Sequence, residues 1–87
     1  MFQRRQIWFY SAAVISYLDG LAALGDADRV EADAPQFLDP PSALEPFALR
    51  ALGVVRGDRS LLEQAALRFE AMDLGRQAAN TRQLIER

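Results

Sequence analysis

Between Ile7 and Leu24 the apolar side chains recur at helical spacing and form two stripes. Ile7, Val14, Leu18 and Leu21 make one stripe, and Tyr10, Tyr17 and Leu24 make the other. The side carrying Ala12, Ser16, Asp19 and Ala23 is small or polar. This pattern predicts a helix over 5–24 that is packed on two sides. Gly25 followed by Asp26 reads as a stop and then a start: glycine suits a left-handed C-cap and aspartate an N-cap. A short helix over 26–34 follows, with Val30 and Ala34 as a weak apolar face. Pro35 bars its smooth continuation, and Asp39-Pro40-Pro41 completes a loop over 35–41.

Ser42 and Glu45 have the S-x-x-E spacing of a capping box, with Pro46 tolerated in the first turn. The helix they predict, 42–56, carries Leu44, Phe47, Ala48, Ala51, Leu52 and Val55 at three-four spacing and stops at Gly57. Asp58 or Ser60 opens the next helix, 59–73, and Ser60 with Glu63 forms a second capping box. Its apolar face is Leu61, Leu62, Ala65, Phe69 and Met72, and Gly75 ends it. A last helix covers 76–86, with Ala78, Ala79, Arg82, Leu84 and Ile85 in play for packing. No segment alternates with period two. The expected fold is all-α, four to five helices in antiparallel hairpins with short connections. The single domain 1–87 divides into a degenerate hairpin 5–34, a loop 35–41, a hairpin 42–73 and a terminal helix 76–86.

Composition narrows the chemistry. The 87 residues contain no cysteine, histidine or lysine. The usual general base, the usual neutral metal ligand, a thiol nucleophile and a Schiff-base amine are therefore all missing. The expectation is a non-catalytic protein without cofactor or metal. Charge is unevenly spread around a net −2. Residues 1–18 carry Arg4 and Arg5 and no acid. Residues 19–45 set seven acids against Arg29, and residues 46–87 set seven arginines against five acids. An acidic waist and a pI near 5.0 do not suit nucleic acid, which calls for a basic stripe. Asp26, Asp28, Glu31 and Asp33 put Val30 and Glu31 at the fifth and sixth places of a calcium loop, where a ligand and a glycine belong. A solvated helix face accounts for them instead.

Helix pairs joined by short turns call for a repeat check. Leu49, Leu52 and Gly53 stand at the Trp, Leu and Gly places of the tetratricopeptide pattern. Ala65 follows twelve residues after Gly53, and Phe69 four residues later, as that pattern requires. Arg56 at the Tyr place and Gln77 at the Pro place depart from it. Residues 42–73 thus resemble a tetratricopeptide repeat. The resemblance implies that Gly53 and Ala65 meet where the two helices cross, and that Phe69 plugs toward the neighbouring pair. Leu18, Leu21, Ala22, Ala34 and Leu38 would form an earlier, degraded copy. The stretch 61–84, through Ala65, Ala66, Phe69, Glu70, Ala78, Ala79, Thr81 and Arg82, is similar to the tetratricopeptide-like tail of large bacterial LuxR-type and adenylate-cyclase-linked ATPase regulators. That likeness implies a cytoplasmic protein–protein interaction module, a fragment or remnant of such a regulator. It brings no catalytic residue: there is no phosphate-binding loop and no lysine to build one.

The alternative is an exported small helical protein. Arg4-Arg5 ahead of Ile7-Trp8 resembles a twin-arginine signal, with 7–18 as its apolar region and Ala23-Leu24-Gly25 as a cleavage site. Ser11 and Ser16 interrupt that region. A spanning helix would need about 18 apolar residues, and Asp19 ends the run, so no membrane segment is expected. Trp8, Phe9 and Tyr10 point three ways around one helix and cannot all face one neighbour. Stacked helix arrays leave an apolar face open at each end. The expected contact with a protein partner, or with a second copy, therefore centres on Trp8, Phe9 and Tyr10 or on Leu84 and Ile85.

Overall fold

The computed structural model describes residues 4–38 and 44–86, with side-chain surroundings from residue 13 onward. Among the described residues five α-helices follow one another: α1 (Arg4–Leu24), α2 (Ala27–Asp33), α3 (Glu45–Arg56), α4 (Arg59–Ala71) and α5 (Gly75–Glu86). A 3-10 turn (Ala34–Phe37) follows α2, in the stretch expected to be loop. Pro35 lies in its first turn, where the missing N–H costs nothing. Among the described residues there is no strand. The fold is all-α and built from helical hairpins. Ser42 and its capping box lie outside the described residues, and α3 itself begins at Glu45 with Pro46 in its first turn.

Three helix ends share one geometry. After α1, Gly25 (φ 73°) donates to the Ala22 carbonyl and Asp26 to the Leu21 carbonyl. After α3, Gly57 (φ 63°) donates to Val54 and Asp58 to Gly53. After α4, Asp73 (φ 62°) donates to Glu70 and Leu74 to Phe69. Each is the left-handed stop that satisfies the last carbonyls of a helix. The third is a correction: Asp73, not Gly75, takes the left-handed position, and Gly75 is the first residue of α5. The two Gly-Asp turns also open the next helix in each case. Asp26 accepts from the Arg29 amide, and Asp58 accepts from the Ser60 and Leu61 amides. Asp58 is thus the cap of α4. The expected Ser60–Glu63 box does not form, and Glu63 pairs with Arg59 instead. Gly25 and Gly57 are 32 residues apart. The turns therefore align the two hairpins one residue out of register with the sequence match of Leu18 to Leu49.

α3 sits in the middle. Its residues from Pro46 to Gly53 are all buried. One side packs Ala48, Ala51 and Leu52 against Leu18, Leu21, Ala22, Val30 and Ala34 of the first hairpin. The other packs Phe47 and Leu49 with Ala65, Phe69 and Ala78 of α4 and α5. Phe47 and Phe69 meet edge to face, centroids 4.8 Å apart, an arrangement worth about 0.5–1.5 kcal/mol beyond area burial. Arginines tie each of the last three helices back to the one before it: Arg56 to Glu31, Arg68 to Glu45, and Arg82 to Glu70.

Three packing expectations are corrected. α1 buries only its first stripe among the described residues. Tyr17 is exposed and Leu24 is 83% exposed, because α2 and α3 both approach from the Leu18–Leu21 side. At the α3–α4 crossing Gly53 meets Leu62 rather than Ala65. Ala65 is fully buried one turn further on, in the cluster with Phe47 and Phe69. Phe69 joins that cluster together with Ala78 of α5. Met72, placed on the apolar face of α4, lies beyond the helix and is exposed.

Candidate interaction groove

α1 and α5 flank α3 and leave a groove of about 590 Å³ between them. Its floor is Arg50, Ala51 and Val54 of α3. Asp19, Ala22 and Ala23 form one wall, and Gln77, Asn80 and Leu84 the other. The small side chains keep it open. The side of α1 that the sequence marks as small and polar is the side that lines it.

Arg50 holds the groove together. It is 7% exposed and reaches both walls. Its Nη2 donates to both carboxylate oxygens of Asp19, at 3.1 and 3.0 Å. Its Nη1 donates to Gln77 Oε1 at 2.8 Å and to Thr81 Oγ1 at 3.4 Å. The Thr81 hydroxyl in turn donates to the Gln77 carbonyl. Beneath, the guanidinium carbon lies 5.4 Å from the Phe47 ring centre and 5.1 Å from that of Phe69. A cation over two ring faces is attracted by both quadrupoles. Charge this deeply buried needs paired, hydrogen-bonded surroundings, and among the described residues no buried side-chain polar atom lacks a partner.

The groove is polar but locally neutral. Arg50 and Asp19 cancel, while the Asn80 and Gln77 amides offer both donors and acceptors. Such a surface suits uncharged main-chain amides, with Ala22, Ala23 and Ala51 leaving room for small apolar side chains. Among the described residues no group of three or more carboxylates is placed to hold a metal ion, and no helix is long and apolar enough to cross a membrane. The acidic residues of the second helix have other work. Asp26 caps α2, Glu31 pairs with Arg56, and Asp33 accepts from the Tyr17 hydroxyl at 2.5 Å. The hydrogen bond from Arg56 holds the Glu31 carboxyl below the usual glutamate range, and Arg82 does the same for Glu70. The bond to Asp33, aided by partial desolvation, pushes the Tyr17 hydroxyl up.

The residues singled out in the sequence fall into two groups. Leu49, Leu52, Gly53, Ala65 and Phe69 are all buried and form the contact between α3 and its neighbours. Leu84 and Ile85 are half-buried on the last turn of α5. Leu84 closes one end of the groove, and Ile85 lines two hollows beside it. Trp8, Phe9 and Tyr10 lie on α1, with side chains outside the described residues. Sequence reasoning does not single out Arg50 and Asp19. The one signal for them is a single charge inside an apolar run: Arg50 between Leu49 and Ala51, and Asp19 beside Leu18 on α1. Comparison with known proteins finds no matching family model, no matching curated protein and no matching solved structure.

Proposed function

We propose that this chain is a non-catalytic, tetratricopeptide-like protein–protein interaction module that works in the cytoplasm. Its groove takes an extended segment of a protein partner. The observation that carries the reading is the neutral, amide-lined groove between α1 and α5, kept open by alanines and fixed in width by Arg50. The groove's size lies within the range of ligand sites, about 300–1,000 Å³. The sequence pattern at Leu49, Leu52, Gly53, Ala65 and Phe69 supports the repeat-like reading. The likeness of residues 61–84 supports an origin in a bacterial LuxR-type or adenylate-cyclase-linked regulator. The lack of histidine, cysteine and lysine supports a role without covalent or acid–base chemistry.

Peptides selected from a displayed random library against the chain, then titrated by fluorescence anisotropy, test the reading. Ala23→Arg fills the groove and Asn80→Ala removes an amide. Both are expected to weaken the selected peptides at least tenfold, while Ala32→Glu, on the exposed side of α2, leaves them unchanged. Peptides that bind all three variants alike, or no saturable binder at all, would overturn the proposal.

A further inference from the structure

A second face, built by α4 and α5, carries a different set of features. Leu67 is 61% exposed on α4. It borders a hollow of about 410 Å³ that it shares with Ala66 and Ile85. A smaller hollow adjoins, also bounded by Ile85 and Arg59. Around the first stand two arginines and two glutamates, Arg59 and Glu63 on α4 and Arg82 and Glu86 on α5. Within each helix the arginine precedes the glutamate by one turn. Because α4 and α5 run antiparallel, the order of signs along one is reversed along the other.

That arrangement is self-complementary. A face of one sign repels its own copy, whereas a two-fold contact requires a patch that matches itself. Take a two-fold axis lying in this face and running along the helices. It lays α4 of one copy over α5 of the other, so that Arg59 faces Glu86 and Glu63 faces Arg82. The same operation lays Leu67 of each copy across α5 of its partner, covering the most exposed leucine of the second hairpin. A partner of strong single charge gains nothing from a rim of balanced sign. We propose that the α4–α5 face is a two-fold contact between two copies of this chain. It does not depend on what the groove binds.

Sedimentation equilibrium of the whole chain from micromolar to millimolar concentration tests this, with circular dichroism as a check on folding. The wild type is expected to form a dimer and nothing larger. Leu67→Glu is expected to raise the dimer dissociation constant at least tenfold. Arg59→Glu with Arg82→Glu makes the face wholly acidic, and Glu63→Arg with Glu86→Arg makes it wholly basic. Each double variant alone is expected to sediment as a monomer, and their mixture to restore a dimer of one acidic and one basic chain. Should Arg82→Glu unfold the chain through loss of its bond to Glu70, Leu67→Glu still decides the matter. A wild type that stays monomeric, a dimer indifferent to Leu67→Glu, or growth beyond the dimer would overturn the proposal.

Discussion

Leu62 lies against the bare backbone of Gly53: a Cβ at that position would stand 2.8 Å from Leu62 Cγ and 3.2 Å from the Leu62 amide nitrogen. Part of that contact is backbone, so α4 as well as a side chain must give way. Gly53→Ala is therefore expected to cost about 1–2 kcal/mol, overpacking outweighing a gain of up to ~1 kcal/mol in helix propensity. Gly20 is the contrast. It is also helical, but a Cβ there meets no atom within 4 Å, so Gly20→Ala is expected to stabilise by about 0.5–1 kcal/mol. Urea unfolding of the two variants checks both signs. On a Leu62→Ala background the Gly53→Ala cost should shrink to the part owed to the Leu62 backbone.

The Arg50–Asp19 pair has unequal members. Arg50 is sunk between two rings, while the Asp19 side chain is 44% exposed. Removing the carboxylate leaves a buried cation short of its counter-charge. Asp19→Ala is expected to cost about 2–3 kcal/mol, below the range for a fully buried pair. Arg50→Met keeps the volume over Phe47 and Phe69 and leaves an aspartate that water can reach, so it should cost less. Guanidinium melts of the two variants test the order, and the reverse order would mean that the bonds of Arg50 to Gln77 and Thr81 outweigh the burial of its unpaired charge.

Acid should weaken the fold at Glu31 and Glu70. Both carboxyls are held below the ordinary 4.5, chiefly by hydrogen bonds from Arg56 and Arg82. A depressed folded value gives stability that is present above the unfolded value and lost as pH falls through the folded one. Tyr17 acts at the other end. Its raised value contributes stability below 10, lost as pH rises through the folded value. Stability curves at low salt should fall on both sides, below about pH 4.5 and above about pH 10. Glu31→Gln with Glu70→Gln should flatten the acid limb alone, and Tyr17→Phe the alkaline limb alone.

Asp73 holds a backbone conformation that favours glycine. Asp73→Gly is expected to raise stability by about 0.5–1 kcal/mol, read as a higher melting temperature. An unchanged or lower melting temperature would show that the aspartate side chain stabilises the turn.

Much of this architecture is legible in the residues. The Gly-Asp pairs at 25–26 and 57–58 carry their own geometry, one residue fitting a left-handed stop and the next an N-cap. The apolar spacing of Phe47, Ala48, Ala51 and Leu52 places α3 without further help. What was not legible is non-local. Nothing in the spacing of Tyr17 and Leu24 says that both neighbours of α1 approach from its other side. Leu62 and Ala65 are equally plausible partners for Gly53 until the crossing of α3 and α4 is known. The groove hid for the same reason. Its defining contact joins residues 31 apart in sequence, and a lone charge in an apolar run does not say which opposite charge it meets.

The central position of α3 has a consequence for how the molecule opens. Both apolar clusters draw on it, and Arg50 links it to α1 and α5 at once. Neither half can come apart without uncovering one side of this helix. Amide protons from Ala48 to Gly53 should thus exchange with solvent only when the whole chain unfolds, while those of α2 and the 3-10 turn exchange through smaller fluctuations. The two hairpins share a spine, so they melt as one cooperative unit rather than as separable repeats.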